Sequence, residues 1–134
     1  MPWEFREDAP IYTQLIAQIQ QRIVGGLLGP GARLPSVRDL AAEAGVNPNT
    51  MQRALTELER EGIVHSQRTA GRFVTEDAER IRQLREELAR QQVKDFLEGM
   101  CQLGFRRAEI LALITQEADE NAEGEEKTRK IYLT

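Results

Sequence analysis

Three features of this 134-residue sequence predict a mainly α fold with a small β-wing. Two short amphipathic segments meet at Ala44-Gly45-Val46, where glycine allows one helix to stop and another to start at once. Hydrophobic spacing then changes from helical to alternating on either side of Arg68-Thr69-Ala70-Gly71, as at a β-hairpin. Beyond Asp77 the helical spacing returns and runs for about seven turns. Together these give a winged helix-turn-helix followed by a short C-terminal helical dimerisation segment.

The elements follow in order. Pro10 to Leu27 reads as a first helix: Ile11, Leu15, Ile16, Ile19 and Ile23 recur at three- and four-residue spacing, and glutamines take the opposite face. Gly29-Pro30-Gly31 then forces a turn. Ser36 is a cap for the second helix, with Asp39 three residues on. Val37, Leu40, Ala41 and Ala44 form its inner face. Asn47 caps the third helix, Pro48 suits its first position, and Met51, Ala54, Leu55 and Leu58 form its buried stripe.

Residues 63–67 and 72–75 are the two arms of the wing, with Arg68 and Arg72 near its tip. After the wing, Ile81, Leu84, Leu88, Val93, Phe96, Leu97 and Met100 make one long apolar ridge. Leu103-Gly104-Phe105 interrupts it, and a second short helix carries Ile110, Leu111, Leu113 and Ile114. The expected organisation is residues 1–76 as the winged unit, 77–118 as a two-helix dimerisation segment, and 119–134 as a polar, flexible tail.

Composition narrows the function. With 40% hydrophobic and 30% charged residues the chain reads as a soluble globular protein. No apolar run approaches a membrane span, and MPWEFREDAP lacks the basic and apolar regions of a signal peptide. A single cysteine, Cys101, fits a reducing cytoplasm, and is read as a small buried hydrophobe beside the ridge. One histidine, His65, and one cysteine leave no metal-ligand set, and no cofactor is expected. There is no phosphate-binding glycine loop and no nucleophile placed beside a base, so an enzyme is not expected.

Net charge is −4, an apparent obstacle to binding a polyanion, yet residues 1–75 sum to zero and all their basic groups are arginine. Arginine is the side chain suited to bidentate phosphate and guanine contacts. The surplus acid lies entirely in residues 76–134. On the third helix Asn49, Thr50, Gln52 and Arg53 point away from the buried stripe, and capping needs none of them. In helix-turn-helix geometry those N-terminal residues meet base edges.

The segment PIYTQLIAQIQQRIVGGLLGPGARLPSVRDLAAEAGVNPNTMQRALTELEREGIV, with the wing ending GRFV, resembles the GntR family of bacterial transcription regulators over roughly residues 5 to 75. The short remainder resembles the YtrA subfamily, in which the helices after the wing build a homodimer. That resemblance implies that Arg38 contacts a phosphate or a guanine, that Asn49, Thr50 and Gln52 lie on the reading face with Asn47 at its cap, and that Arg68 approaches the minor groove. Two positions depart from the pattern: Pro48 and Gln52 stand where a basic residue is usual, and Thr69-Ala70-Gly71-Arg72 replaces a glycine-richer wing tip. Gln52 or Asn49 would read adenine where arginine favours guanine.

The DNA-facing set is therefore Arg33, Ser36, Arg38, Asn47, Asn49, Thr50, Gln52, Arg53, Arg68 and Arg72. Three members keep two readings: Arg33 meets DNA or a structural partner, Arg53 meets DNA or Glu57 one turn on, and Arg72 meets DNA or protects a strand edge. The dimerisation set is Ile81, Leu84, Leu88, Val93, Phe96, Leu97, Met100, Ile110, Leu113 and Ile114, because one small domain cannot cover so long a ridge. The expectation is a cytoplasmic repressor that binds double-stranded DNA at a palindromic operator as a homodimer. By resemblance the operator belongs to a transporter operon, and a small-molecule effector stays open. The rival reading is a winged helix used for protein interaction without specific DNA binding.

Overall fold

The computed structural model describes residues 2–133, with residue 123 and residues 125–133 described by backbone alone. Helix α1 (Ile11–Val24) buries Leu15, Ile19 and Ile23 along one stripe and ends at Val24, three residues before the expected limit, with Gly25 as its cap. Gly25-Gly26 supply no side chain to bury and favour a turn over another helical residue. The glutamines opposite the stripe are not idle. The Gln18 amide accepts from the Glu4 N–H at 3.2 Å and donates to the Glu4 carbonyl at 2.6 Å. Gln14 does the same for Arg6, at 2.7 and 2.8 Å. The N-terminal strap is thereby laid along α1, where Trp3 and Phe5 pack on the core.

Helix α2 (Val37–Ala44) starts at Ser36, whose Oγ accepts from the Asp39 N–H at 3.1 Å. It stops at Gly45 in the left-handed conformation, φ 72°, with the Val46 N–H bonded to the Ala41 carbonyl at 3.0 Å. This closing pattern requires a residue that tolerates positive φ, which is why glycine stands at the turn. Two residues later Asn47 caps helix α3 (Pro48–Arg60), its Oδ1 accepting from the Asn49 N–H at 2.8 Å. Met51, Ala54, Leu55 and Leu58 are buried. The stripe, cap and proline anticipated from the sequence all hold.

Strands β1 (Val64–Gln67) and β2 (Gly71–Val74) pair antiparallel in the register Val64 with Val74, His65 with Phe73, Ser66 with Arg72 and Gln67 with Gly71. The loop turns through Gln67–Ala70, closed by the Ala70 N–H on the Gln67 carbonyl at 3.1 Å, and Gly71 follows at φ 104°. A tight turn followed by a positive-φ residue is the usual three-residue hairpin connection, so Gly71 is needed there. The far edge of β2 is also occupied. Leu34 donates to the Arg72 carbonyl and Val74 to the Ala32 carbonyl, both at 2.8 Å. The segment 31–34 thus adds a short third arm that no alternation in Gly31-Ala32-Arg33-Leu34 announced.

Helix α4 (Ala78–Gln102) begins at Asp77, whose carboxylate accepts from the N–H groups of Glu79 and Arg80. The chain divides into two compact units inside this helix, Met1–Ala89 and Arg90–Thr134. Ile81 and Leu84 belong to the core of the first unit with Leu15, Ile19, Met51, Leu55, Leu58 and Val74, and Leu88 packs against it. Ile81 and Leu84, expected on the dimer-facing ridge, are thus core residues of this unit. The first turns of α4 complete a core that three short helices and a hairpin leave open.

In the second unit, helix α5 (Arg107–Leu133) follows the turn at Gly104. It was expected to end near residue 118 with a flexible tail beyond, but the helix continues to Leu133. The tail is rich in Glu, Ala, Lys and Arg, all strong helix formers, and one internal glycine costs only about 1 kcal/mol against them. Cys101, expected to be buried, is exposed.

Candidate nucleic-acid interface

The N-terminal half of α3 divides cleanly into two faces. Met51 and Ala54 are buried, whereas Asn47, Pro48, Asn49, Gln52 and Arg53 are exposed and Thr50 is half-buried. Asn47 is occupied through Oδ1 by its capping bond. Gln52 leans one turn along its own helix, its Nε2 3.5 Å from the Thr56 hydroxyl, a contact at the weak limit of a hydrogen bond. Among the described residues, none engages the Asn49 side chain. The face therefore offers amide donors and acceptors that protein groups leave largely unused, which base edges require.

The arginines of the first unit sort by partner. Arg72 places Nε 2.6 Å from Glu59 Oε1, and its side chain is only 20% exposed. Ser66 donates to the same carboxylate oxygen. Burial of Glu59 works to raise its carboxyl, but hydrogen bonds from Ser66 and Arg72 and the Arg72 charge outweigh it and hold the group below its ordinary value. Glu59 thus fastens both wing strands to α3, and Arg72 serves that link. Arg60 pairs with Glu57 at 3.4 Å and Arg6 with Asp8 at 3.4 Å. Arg22 is buried, its guanidinium 3.7 Å from the Trp3 ring centre.

Among the described residues, Arg33, Arg38, Arg53 and Arg68 are exposed and pair with no carboxylate. Arg38 stands on the first turn of α2 and Arg68 in the wing loop. Arg33 pairs through its backbone with Phe73 of β2, and its Nε is 3.2 Å from where a side chain on Gly71, beside the wing tip, would begin. Arg53 does not meet Glu57; it lies over the Tyr12 ring, 4.5 Å from its centre. Ser36 remains exposed beside Arg38, with its oxygen engaged in capping. Uncompensated positive charge thus occurs on α2, α3 and the wing, the three elements that a winged helix presents to a duplex.

Sequence reasoning missed two residues that shape this surface. Tyr12 is 41 positions from Arg53, and Glu59 is 7 and 13 positions from Ser66 and Arg72. Pairing across elements at such separations leaves no periodic trace. The only available signal for Glu59 was a carboxylate at the end of a helix that leads directly into a basic hairpin.

Residues 11–74 match the family described as bacterial regulatory proteins, gntR family. The HTH-type transcriptional regulator YhcF of Bacillus subtilis is 43% identical over 108 residues, spanning 81% of this chain and 89% of that protein. The chain belongs to the GntR family. The HTH-type transcriptional repressor YtrA of Bacillus subtilis is 45% identical over 73 residues, 54% of this chain and 56% of that one. A solved GntR family transcriptional regulator from Listeria monocytogenes superposes with a TM-score of 0.76 at 39% identity, covering 84% of this chain and 98% of the other. The resemblance read from the helix-turn-helix and wing motifs is therefore correct, as is the winged fold. GntR members are DNA-binding regulators and not enzymes. No helix of the described residues is long and apolar enough to cross a membrane.

Proposed function

We propose that this GntR protein is a cytoplasmic repressor that binds a palindromic operator as a homodimer. The observation that supports DNA readout most directly is the exposed amide face of Asn49 and Gln52, flanked by arginines that no carboxylate compensates. In this reading Arg38 and Arg68 contact phosphate or groove, Gln52 and Asn49 read bases, and Ser36, Asn47 and Thr50 support the register. The homodimer reading draws on the second unit, where Val93, Phe96, Leu97, Leu111 and Ile114 are exposed large apolar side chains. Large apolar side chains left in water are unfavourable, and their number in this unit supports an association surface. Met100 and Leu113 are half-buried, and Ile110 is buried. The dimer face is thus drawn from residues 93–114, with Leu111 added to the expected set.

Two-fold symmetry places two α3 helices in successive major grooves, about 34 Å apart. The repressor role and a transporter operon as target follow the YtrA resemblance, and a small-molecule effector would act through the second unit. The test is selection of bound duplexes from a random pool, with the sedimentation mass of the complex measured alongside. Enrichment of a two-fold symmetric site by a dimer supports the proposal. A well-folded dimer that enriches nothing at low salt favours the rival, a winged helix that binds protein.

A further inference from the structure

We infer that Tyr12 is a positioning residue for DNA binding: its ring holds the Arg53 guanidinium ready for a backbone phosphate. This rests on the DNA-binding reading above and extends it to a residue on α1.

Arg53 is exposed on α3, and its Cζ lies 4.5 Å from the Tyr12 ring centre. That distance is within the range of attraction between a cation and the face of an aromatic ring. The carboxylate that should compete is Glu57, one turn along the same helix, and it pairs with Arg60 instead, at 3.4 Å. An aromatic ring differs from a carboxylate in one decisive way: it orients the guanidinium without neutralising it. Arg72 shows the opposite case, since Glu59 both fixes it and cancels its charge. A phosphate approaching Arg53 therefore meets a full positive charge whose side chain is already ordered.

The platform is firm. Tyr12 is half-buried in the first turn of α1 and packs against the core of the first unit. A free arginine on a helix surface must lose rotamer freedom when it binds, and ordering it beforehand removes that loss from the binding step.

The experiment uses the full chain and a duplex of arbitrary sequence at low salt, with affinity followed as salt is raised. Arg53→Ala is expected to reduce the salt slope by about 1, the signature of one lost phosphate contact. Tyr12→Leu, which keeps apolar bulk, is expected to weaken binding about three- to tenfold in the native background. It should have no further effect in Arg53→Ala. Tyr12→Phe keeps the ring face and should bind as the native protein does. A Tyr12→Phe loss equal to that of Tyr12→Leu would assign the effect to the hydroxyl and overturn the inference. So would an equal Tyr12→Leu loss in both backgrounds.

If Tyr12→Leu does not fold, nuclear magnetic resonance of the native protein decides. The ring current should move the Arg53 Nε–H proton upfield of that of Arg38, and coincident shifts overturn the inference. A native chain that binds no duplex at all removes the DNA-binding reading and this inference together. A native chain that binds while Tyr12→Leu binds equally well removes only the inference.

Discussion

The two units of the chain treat their apolar side chains in opposite ways. In Met1–Ala89, Leu15, Met51, Leu55, Leu58 and Val74 are fully enclosed by their own unit. In Arg90–Thr134, Val93 is 55% exposed, Phe96 44% and Leu111 57%. The first unit closes a core from four helices and a hairpin, which gives every buried stripe an opposing surface. The second has helical stripes with apolar side chains left in water. Stability in the first unit is therefore a property of one chain, and in the second it is expected to depend on protein concentration.

The largest effect should come from the closed core. Leu55→Ala is expected to cost about 2–5 kcal/mol, since it removes a buried side chain that its neighbours cannot replace. Urea denaturation of the first unit's transition checks this, and the loss should not change with protein concentration. A concentration-dependent loss would mean that the first unit also relies on a second copy.

Phe96→Asp should leave the first unit's unfolding unchanged while weakening self-association by about 2 kcal/mol or more, roughly thirtyfold. Sedimentation across a concentration series measures it. If the native chain and the variant sediment identically, the exposed ridge does not make the dimer, and the contrast between the units has another cause.

A smaller effect separates the roles within the first unit. Gln52→Ala should cost about 1–2 kcal/mol at one base position of the selected operator and relax preference there. Arg38→Ala should instead weaken every duplex alike and lower the salt slope by about 1. Competition binding with single-base operator variants distinguishes the two, and uniform loss from Gln52→Ala would remove it from base readout.

What could be read from the sequence follows the same division. The helix-turn-helix was legible because its signals are local: Ser36 and Asn47 cap, Gly45 turns, Pro48 starts, and Leu55 and Leu58 recur at helical spacing. The wing was legible by its change of period. Most hidden features depend on contacts between residues far apart in sequence. Periodicity could assign Ile81 and Leu84 to a ridge, but not say which end of that ridge faces the first unit's core. It could not pair Arg53 with Tyr12 in place of Glu57. The helical tail was misread for another reason: polarity and one glycine suggested a loose segment, although most of its residues favour helix.

The smallest effect tests the polar joint between α3 and the wing, inside the unit with the closed apolar core. Glu59 has its folded carboxyl below the ordinary value, so it binds protons less readily folded than unfolded. Its stabilising contribution is therefore fully present above the unfolded carboxyl's range and is lost as pH falls through the lower folded value. Glu59→Gln removes the charge that holds Arg72 while leaving an acceptor for Ser66. The native chain should be more stable than Glu59→Gln near neutral pH, and the gap should narrow as acid protonates the native carboxyl. Thermal unfolding of both proteins over a pH series measures that gap. A gap constant with pH would mean that the hydrogen-bonding shape at position 59, and not its charge, fastens the wing. Arg72 would then be restrained by its strand alone, and its guanidinium would return to the groups available to DNA.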